Sequence, residues 1–199
     1  AVEGNYTVVG APLDDIGAQD SGVVKVFDST SGVLLLVIPN PSPAAQDNFG
    51  SSVAIFGTRV VVGARYDDTG ATNGGIAYVY ELSSGTPTVP VITLNNPSPA
   101  DADLFGFSVA ISGTRVVVGA PQDDTGALNA GIVYVYDLSS AMPSVPMTIL
   151  NNPGPAPSDT FGWSVAISGT RVIVGAWQDD TGGGNAGSVY VYDLTSGTP

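Results

Sequence analysis

Short apolar runs bounded by Gly, Pro, Ser and Asn recur along the whole chain, and none has the spacing of a helical face. From Phe105 onward the pattern predicts four strands, roughly over 107–112, 115–120, 131–138 and 145–150. Gly113-Thr114 joins the first two as a two-residue loop suited to a tight hairpin. A longer loop over 122–130 follows the second strand, and a Ser-rich turn with Pro143 follows the third. The prolines of Asn151-Asn152-Pro153-Gly154-Pro155 cannot donate to a ladder, so they carry the chain onward. In the third strand Tyr134 and Tyr136 share one face while Val133 and Val135 share the other. A sheet apolar on both sides needs cover on both sides, which predicts sheets stacked against one another.

The same pattern repeats. Phe49-Gly50 returns as Phe105-Gly106 and Phe161-Gly162, each 56 residues further on. Ser52-Val53-Ala54-Ile55 returns at Ser108 and Ser164, and Arg59-Val60-Val61-Val62-Gly63-Ala64 has counterparts starting at Arg115 and Arg171. A first block, three residues shorter, aligns Val8 to Pro12 with Val117 to Pro121. The expected organisation is one segment over 1–199, in blocks 1–48, 49–104, 105–160 and 161–199. Ala1 falls level with Ala110 and Pro199 level with Pro87, so two blocks are expected to be complete and two incomplete. Lys25 and Phe27 stand where Tyr134 and Tyr136 stand, which predicts a less completely covered face on the first block. An open terminal layer of apolar side chains, each worth about 1.5–3 kcal/mol when buried, calls for cover by further repeats or by a second copy.

Composition narrows the function. Eighteen carboxylates against five basic residues leave a net charge of −13, which opposes nucleic acid and anionic membrane as partners. With no Cys and no His, disulfides, thiolate or imidazole metal sites and histidine acid–base chemistry are excluded. The aliphatic run from Val33 to Ile38 is far too short to span a bilayer. Low charge density with 26 Gly and 15 Pro is the composition of a secreted all-β protein.

Phe-Gly opening a block and Gly-Ala-Pro closing its second strand resemble the FG-GAP repeat of integrin α-chain propellers and bacterial surface proteins. Gly10-Ala11-Pro12 and Gly119-Ala120-Pro121 match fully, while Gly63-Ala64-Arg65 and Gly175-Ala176-Trp177 keep Gly-Ala. The resemblance implies an all-β propeller of four-stranded antiparallel blades, closed in that family as a ring of seven. It also implies calcium in an Asp-rich loop between the Phe-Gly and Gly-Ala-Pro strands. Here that interval is Gly57-Thr58, Gly113-Thr114 or Gly169-Thr170, with no carboxylate, so that site does not carry over.

Another acidic cluster recurs one loop later, at Asp14-Asp15, Asp67-Asp68, Asp123-Asp124 and Asp179-Asp180. One reading has these side chains accepting backbone N–H bonds to start a turn. The other has each pair binding Ca²⁺ together with Asn73, Asn129 or Asn185 further round the loop. Asp47, Asp103 and Asp159, two residues before each Phe-Gly, are expected to fix the turn into the first strand, and Arg59, Arg115 and Arg171 to pair with a recurring carboxylate. Trp163 and Trp177 read as an interface or cap, with a carbohydrate-stacking pair as the alternative; Asn5-Tyr6-Thr7 is a glycosylation sequon.

The repeat, the acidic loops and the missing catalytic groups together point to a non-enzymatic extracellular scaffold or adhesion module, self-assembling through its open terminal blades. Its expected partners are further repeats, other copies of itself, glycans or surface proteins. A calcium-dependent binding module and the accessory propeller of a secreted hydrolase stand as alternatives. Against an enzyme, every carboxylate pair recurs from block to block, whereas an active site is unique.

Overall fold

The computed structural model describes residues 1–196, and among them there is no helix, only strands and turns in four antiparallel sheets. The correspondence drawn for Pro199 lies outside the described residues. The first sheet orders β1 (Val2–Glu3), β2 (Tyr6–Ala11), β3 (Val23–Asp28) and β4 (Leu34–Pro39). The second holds β5 (Phe49–Phe56), β6 (Arg59–Ala64), β7 (Ile76–Glu81) and β8 (Ile92–Asn95), and the third β9 (Ser108–Ser112), β10 (Arg115–Ala120), β11 (Ile132–Asp137) and β12 (Thr148–Asn151). The fourth has three strands, β13 (Phe161–Ser168), β14 (Arg171–Ala176) and β15 (Ser188–Asp193). Each is a meander of propeller-blade type.

The inner strands of the third sheet form where the pattern places them, because valine runs unbroken over Val116 to Val118 and alternates with tyrosine over Val133 to Tyr136. Fourth strands start later than the apolar run suggests. In the third sheet Val145 N–H is spent on a turn to the Met142 carbonyl, Pro146 has no N–H to give, and pairing starts at Thr148. The Gly113 loop has φ of 62° at its first position only, as a II′ hairpin requires.

Packing between sheets follows one rule. The valine face of each sheet lies against the tyrosine face of the next. Val61, Ala77, Val79 and Leu94 of the second sheet pack on Phe105, Val116, Val118, Tyr134 and Tyr136 of the third. Val117, Val133, Val135 and Leu150 of the third pack on Phe161, Val172, Val174, Tyr190 and Tyr192 of the fourth. The first sheet joins the second through Val8, Val24, Val26 and Ile38.

The Phe-Gly and Gly-Ala residues meet at these interfaces. A Cβ on Gly63 would fall inside the carbonyl oxygen of Gly106, and one on Gly119 inside that of Gly162. Ser52 Oγ donates to the Gly106 carbonyl at 2.7 Å, and Ser108 Oγ donates to that of Gly162 at 2.7 Å. Two glycines therefore let neighbouring backbones approach, and a serine hydroxyl fixes the distance. The segment leading into each Phe-Gly is hydrogen-bonded to the preceding sheet's long loop. Leu104 N–H and Phe105 N–H reach the carbonyls of Asn73 and Gly74, and Thr160 and Phe161 reach those of Asn129 and Ala130. This alternating geometry holds Leu104 at φ 59° and Thr160 at φ 56°, left-handed values that cost such residues about 1–3 kcal/mol each.

The two ends of the stack differ. Thr7, Val9, Lys25 and Phe27 occupy the outer face of the first sheet where the third has Val116, Val118, Tyr134 and Tyr136 in the same register. Lys25 Nζ lies 3.6 Å from Asp14, and Thr7 and Ser29 share a hydrogen bond, so that face is partly polar. At the other end Ile173, Val189 and Val191 are 45%, 69% and 68% exposed, whereas their counterparts Val117, Val133 and Val135 are fully buried.

Candidate functional site: a rim across the four sheets

The Asp pairs shape the long loops that follow each Gly-Ala strand. The first Asp accepts the N–H two residues on, as Asp67 does from Thr69 at 2.8 Å and Asp123 from Thr125 at 2.8 Å. The second accepts the N–H five residues on, Asp68 from Asn73 and Asp124 from Asn129, both at 2.8 Å. Asp14, Asp15, Asp179 and Asp180 repeat the arrangement with Ile16, Asp20, Thr181 and Asn185. Asn73, Asn129 and Asn185 sit at φ 52–53°, a left-handed conformation that Asn tolerates. Their backbone N–H groups, not their side-chain amides, meet the carboxylates. This is the turn-forming arrangement, and among the described residues no three carboxylates converge as metal ligands. Asp179 has a further donor: burial pushes its pKa up, but the Tyr190 hydroxyl at 2.6 Å and the Thr181 donors outweigh that and leave it lowered. If turn formation is the whole role of these carboxylates, added Ca²⁺ or EDTA leaves Tm unchanged in calorimetry; a chelator-sensitive transition would show that the loops bind calcium.

Asp47, Asp103 and Asp159 do more than start a turn. Each accepts a buried bond from an Asn seven residues earlier, Asn40, Asn96 and Asn152, at 2.7–2.8 Å. Each also accepts the N–H three residues earlier, from Ala44, Ala100 and Ala156 at 2.7 Å. The result is a clasp closing the Pro-rich crossover. Burial raises the pKa of Asp47 and Asp103.

Of the three recurring arginines, Arg59 forms an ion pair, with Glu81 at 3.5 Å. Glu81 also takes the Ser83 hydroxyl on its other oxygen, whereas Asp137 and Asp193, facing Arg115 and Arg171 in register but one methylene shorter, keep only the equivalent bonds from Ser139 and Thr195. Arg115 reaches across to the Gly169 carbonyl of the next sheet at 3.4 Å.

The residues that break the repeat gather on one rim. The position after Phe-Gly is Ser51, Phe107 or Trp163, and the position after Gly-Ala is Pro12, Arg65, Pro121 or Trp177. Arg65 lies 4.8 Å from the ring centre of Tyr66 and 5.3 Å from that of Phe107. Phe107 packs on Trp163 at 4.5 Å, and Trp163 on Trp177 at 5.3 Å. A single ridge thus joins the second, third and fourth sheets, with Trp163 and Trp177 38% and 52% exposed. Beside Tyr66 the ridge meets a cleft of about 400 Å³ lined by Leu13, Asp20, Gln46, Asn48 and Asn73. The exposed Trp163–Trp177 pair, extended by half-buried Phe107, has the character of an interaction surface. Asn5 is exposed in the loop joining β1 and β2. No helix of the described residues is long and apolar enough to cross a membrane.

A family model described as an FG-GAP repeat matches residues 41–80, 96–136 and 149–192. No curated protein matches the chain.

Proposed function

Because the chain belongs to the FG-GAP repeat family, whose blades form propeller-like protein-binding modules, we propose that it is a non-enzymatic extracellular scaffold that binds a surface protein or glycan through the Arg65–Trp177 ridge. The carrying observation is that half-buried Phe107 and exposed Trp163, at equivalent positions of successive sheets, touch one another, and that Trp163 touches the exposed Trp177 of its own sheet. A stack locked by buried valines and tyrosines presents such a ridge rigidly, so little ordering entropy is lost on binding. Trp and Arg are also the side chains that concentrate binding energy at interfaces. Family repeats are typically extracellular or at the cell surface, which fits the low charge density and the 26 Gly and 15 Pro of the chain. The carboxylates of the long loops are engaged with backbone donors, which supports structural work for them over hydrolysis.

Beads coated with the protein are expected to adhere to immobilised matrix proteins or glycans, and Trp163→Ala with Arg65→Ala to reduce adhesion at least tenfold while Tm falls by only a few degrees. Adhesion that ignores both substitutions, or turnover of a glycan by the wild-type protein, would overturn the reading.

A further inference from the structure

We infer that the cleft between the first and second sheets binds a single neutral sugar ring of the pyranose class. It lies between two sheets that each carry four strands, and its volume of about 400 Å³ is within the range of small-ligand sites. Leu13 and Asp20 come from the long loop of the first sheet, Tyr66 and Asn73 from that of the second, and Gln46 and Asn48 from the crossover between them. The aromatic ridge starts beyond Tyr66 and runs across the later sheets, so this site does not depend on it.

The repeat itself shows that these side chains are not needed to build the fold. Gln46 and Asn48 stand level with Ala102 and Leu104 in the next block and with Ser158 and Thr160 in the one after. All six have left-handed backbone, at φ 55–71°, so the conformation selects neither Gln nor Asn. Leu104 is as buried as Asn48, at 6% against 7% exposed, so an apolar residue fits the position. Asn48 Nδ2 is spent on the carbonyls of Asp20 and Gln46, at 3.3 and 3.0 Å. Among the described residues its Oδ1 takes no hydrogen bond, and the side-chain amides of Gln46 and Asn73 make none. A buried acceptor on a cleft wall is satisfied by what enters the cleft, water or a ligand hydroxyl.

The chemistry of the wall selects the guest. Each amide offers a donor and an acceptor side by side, which suits hydroxyls, themselves both. The Asp20 carboxylate adds a strong acceptor for a hydroxyl and repels phosphate, sulfate and carboxylate, and the lining residues include no basic group to receive them. One carboxylate among neutral amides is a weak set for a divalent cation. Tyr66 and Leu13 supply an apolar patch for the C–H face of a sugar ring. A ring with several hydroxyls and no charge meets all of these conditions.

The test is a saturation-transfer NMR titration of the whole chain with the methyl glycosides of glucose, galactose, mannose and N-acetylglucosamine. An open site with few polar groups makes a Kd of about 1 mM the expected strength for at least one of them. Gln46→Ala together with Asn48→Leu imports the residues of the next block, which have the same backbone conformation, and should weaken binding at least tenfold with the fold retained. Asp20→Asn imports the residue of the other three loops, held there at φ 52–53°, and should weaken it severalfold. The methyl glycoside of glucuronic acid should bind at least tenfold more weakly than the best neutral ring, and that gap should narrow in Asp20→Asn. No saturable binding by any of the four, affinity that survives the Gln46 and Asn48 exchange, or tighter binding of the glucuronide would each overturn the assignment. Trp163→Ala should leave sugar affinity unchanged; its loss would place the sugar on the ridge and overturn the assignment too. Trp163 and the Gln46–Asn48 pair lie at different interfaces, so the sugar site and the adhesion ridge fail separately.

Discussion

Gly63→Val is expected to be among the most damaging single substitutions in the chain, costing about 3 kcal/mol, the upper end for overpacking a tight interior. For a protein of this size that is about 6–12 °C in Tm. Gly63 has no backbone conformation that demands glycine; its φ is ordinary for a strand. The Ser52 hydroxyl of its own sheet lies close to an added Cβ, but the constraint that a side-chain rotation cannot relieve comes from the next sheet. The added carbons would overlap the Gly106 carbonyl, a backbone atom held by the Ser52 hydroxyl at 2.7 Å, and relief requires the second and third sheets to part. Parting them uncovers Val61, Val79, Phe105 and Tyr134 together, so the strain cannot relax locally. Gly175→Val is the control. It adds the same atoms at the equivalent position of the fourth sheet, where only the Ser164 side chain lies close, and that hydroxyl can rotate away. Its cost should stay under about 1 kcal/mol, as for a substitution off the core. Equal Tm losses for the two variants would mean that the glycine serves its own strand and not the neighbour.

That comparison also shows what the sequence made legible. Strand identity, the valine and tyrosine faces and the need for stacking follow from a period of two repeated every 56 residues, and the sheets have that arrangement. The start of the fourth strands was hidden because Val145 looks like strand but spends its N–H on a turn ahead of Pro146. Left-handed backbone at Leu104 and Thr160 left no trace, since neither residue type advertises it; the preceding sheet's carbonyls impose it. The Asn96–Asp103 spacing of seven was present in three blocks, yet a turn-initiating Asp explained the acid alone and left the Asn without a role. Arginine pairing was expected three times, and the difference between Glu81 and the shorter Asp137 and Asp193 decides where an ion pair forms. As for the ridge, Trp163 and Trp177 stood out in the sequence, but their contact chain to Phe107 and Arg65 crosses sheets, and only the stacking brings those strand ends together.

Asp103→Ala should be the second severe change, at about 2–4 kcal/mol, because it removes the acceptor of Asn96 Nδ2 and of the Ala100 N–H at once, and each stranded donor costs roughly 1–3 kcal/mol. Asp103→Asn keeps an acceptor oxygen and should cost less, which makes it the reference for a pH experiment. In the fold the Asp103 carboxyl lies above its ordinary value of 3.8, chiefly through burial, with Asp123 and Asp124 adding repulsion and the Ala100 and Asn96 donors opposing it. The folded protein therefore binds this proton more tightly than the unfolded chain does. Stability linked to it is fully present below 3.8 and is lost as pH rises through the folded value. Wild-type stability measured against Asp103→Asn should accordingly rise on acidification from neutral pH. Asp137 acts in the opposite sense: Ser139 donors lower its pKa, so its contribution is present above 3.8 and disappears as pH falls. Subtracting the Asn variant cancels Asp137 and the other groups that do not interact with Asp103, leaving the clasp together with its coupling to Asp123 and Asp124. A wild-type advantage that shrinks toward acid would show that Asp103 is held by its donors more than it is penalised by burial, and the clasp would then rank as a net electrostatic gain at neutral pH.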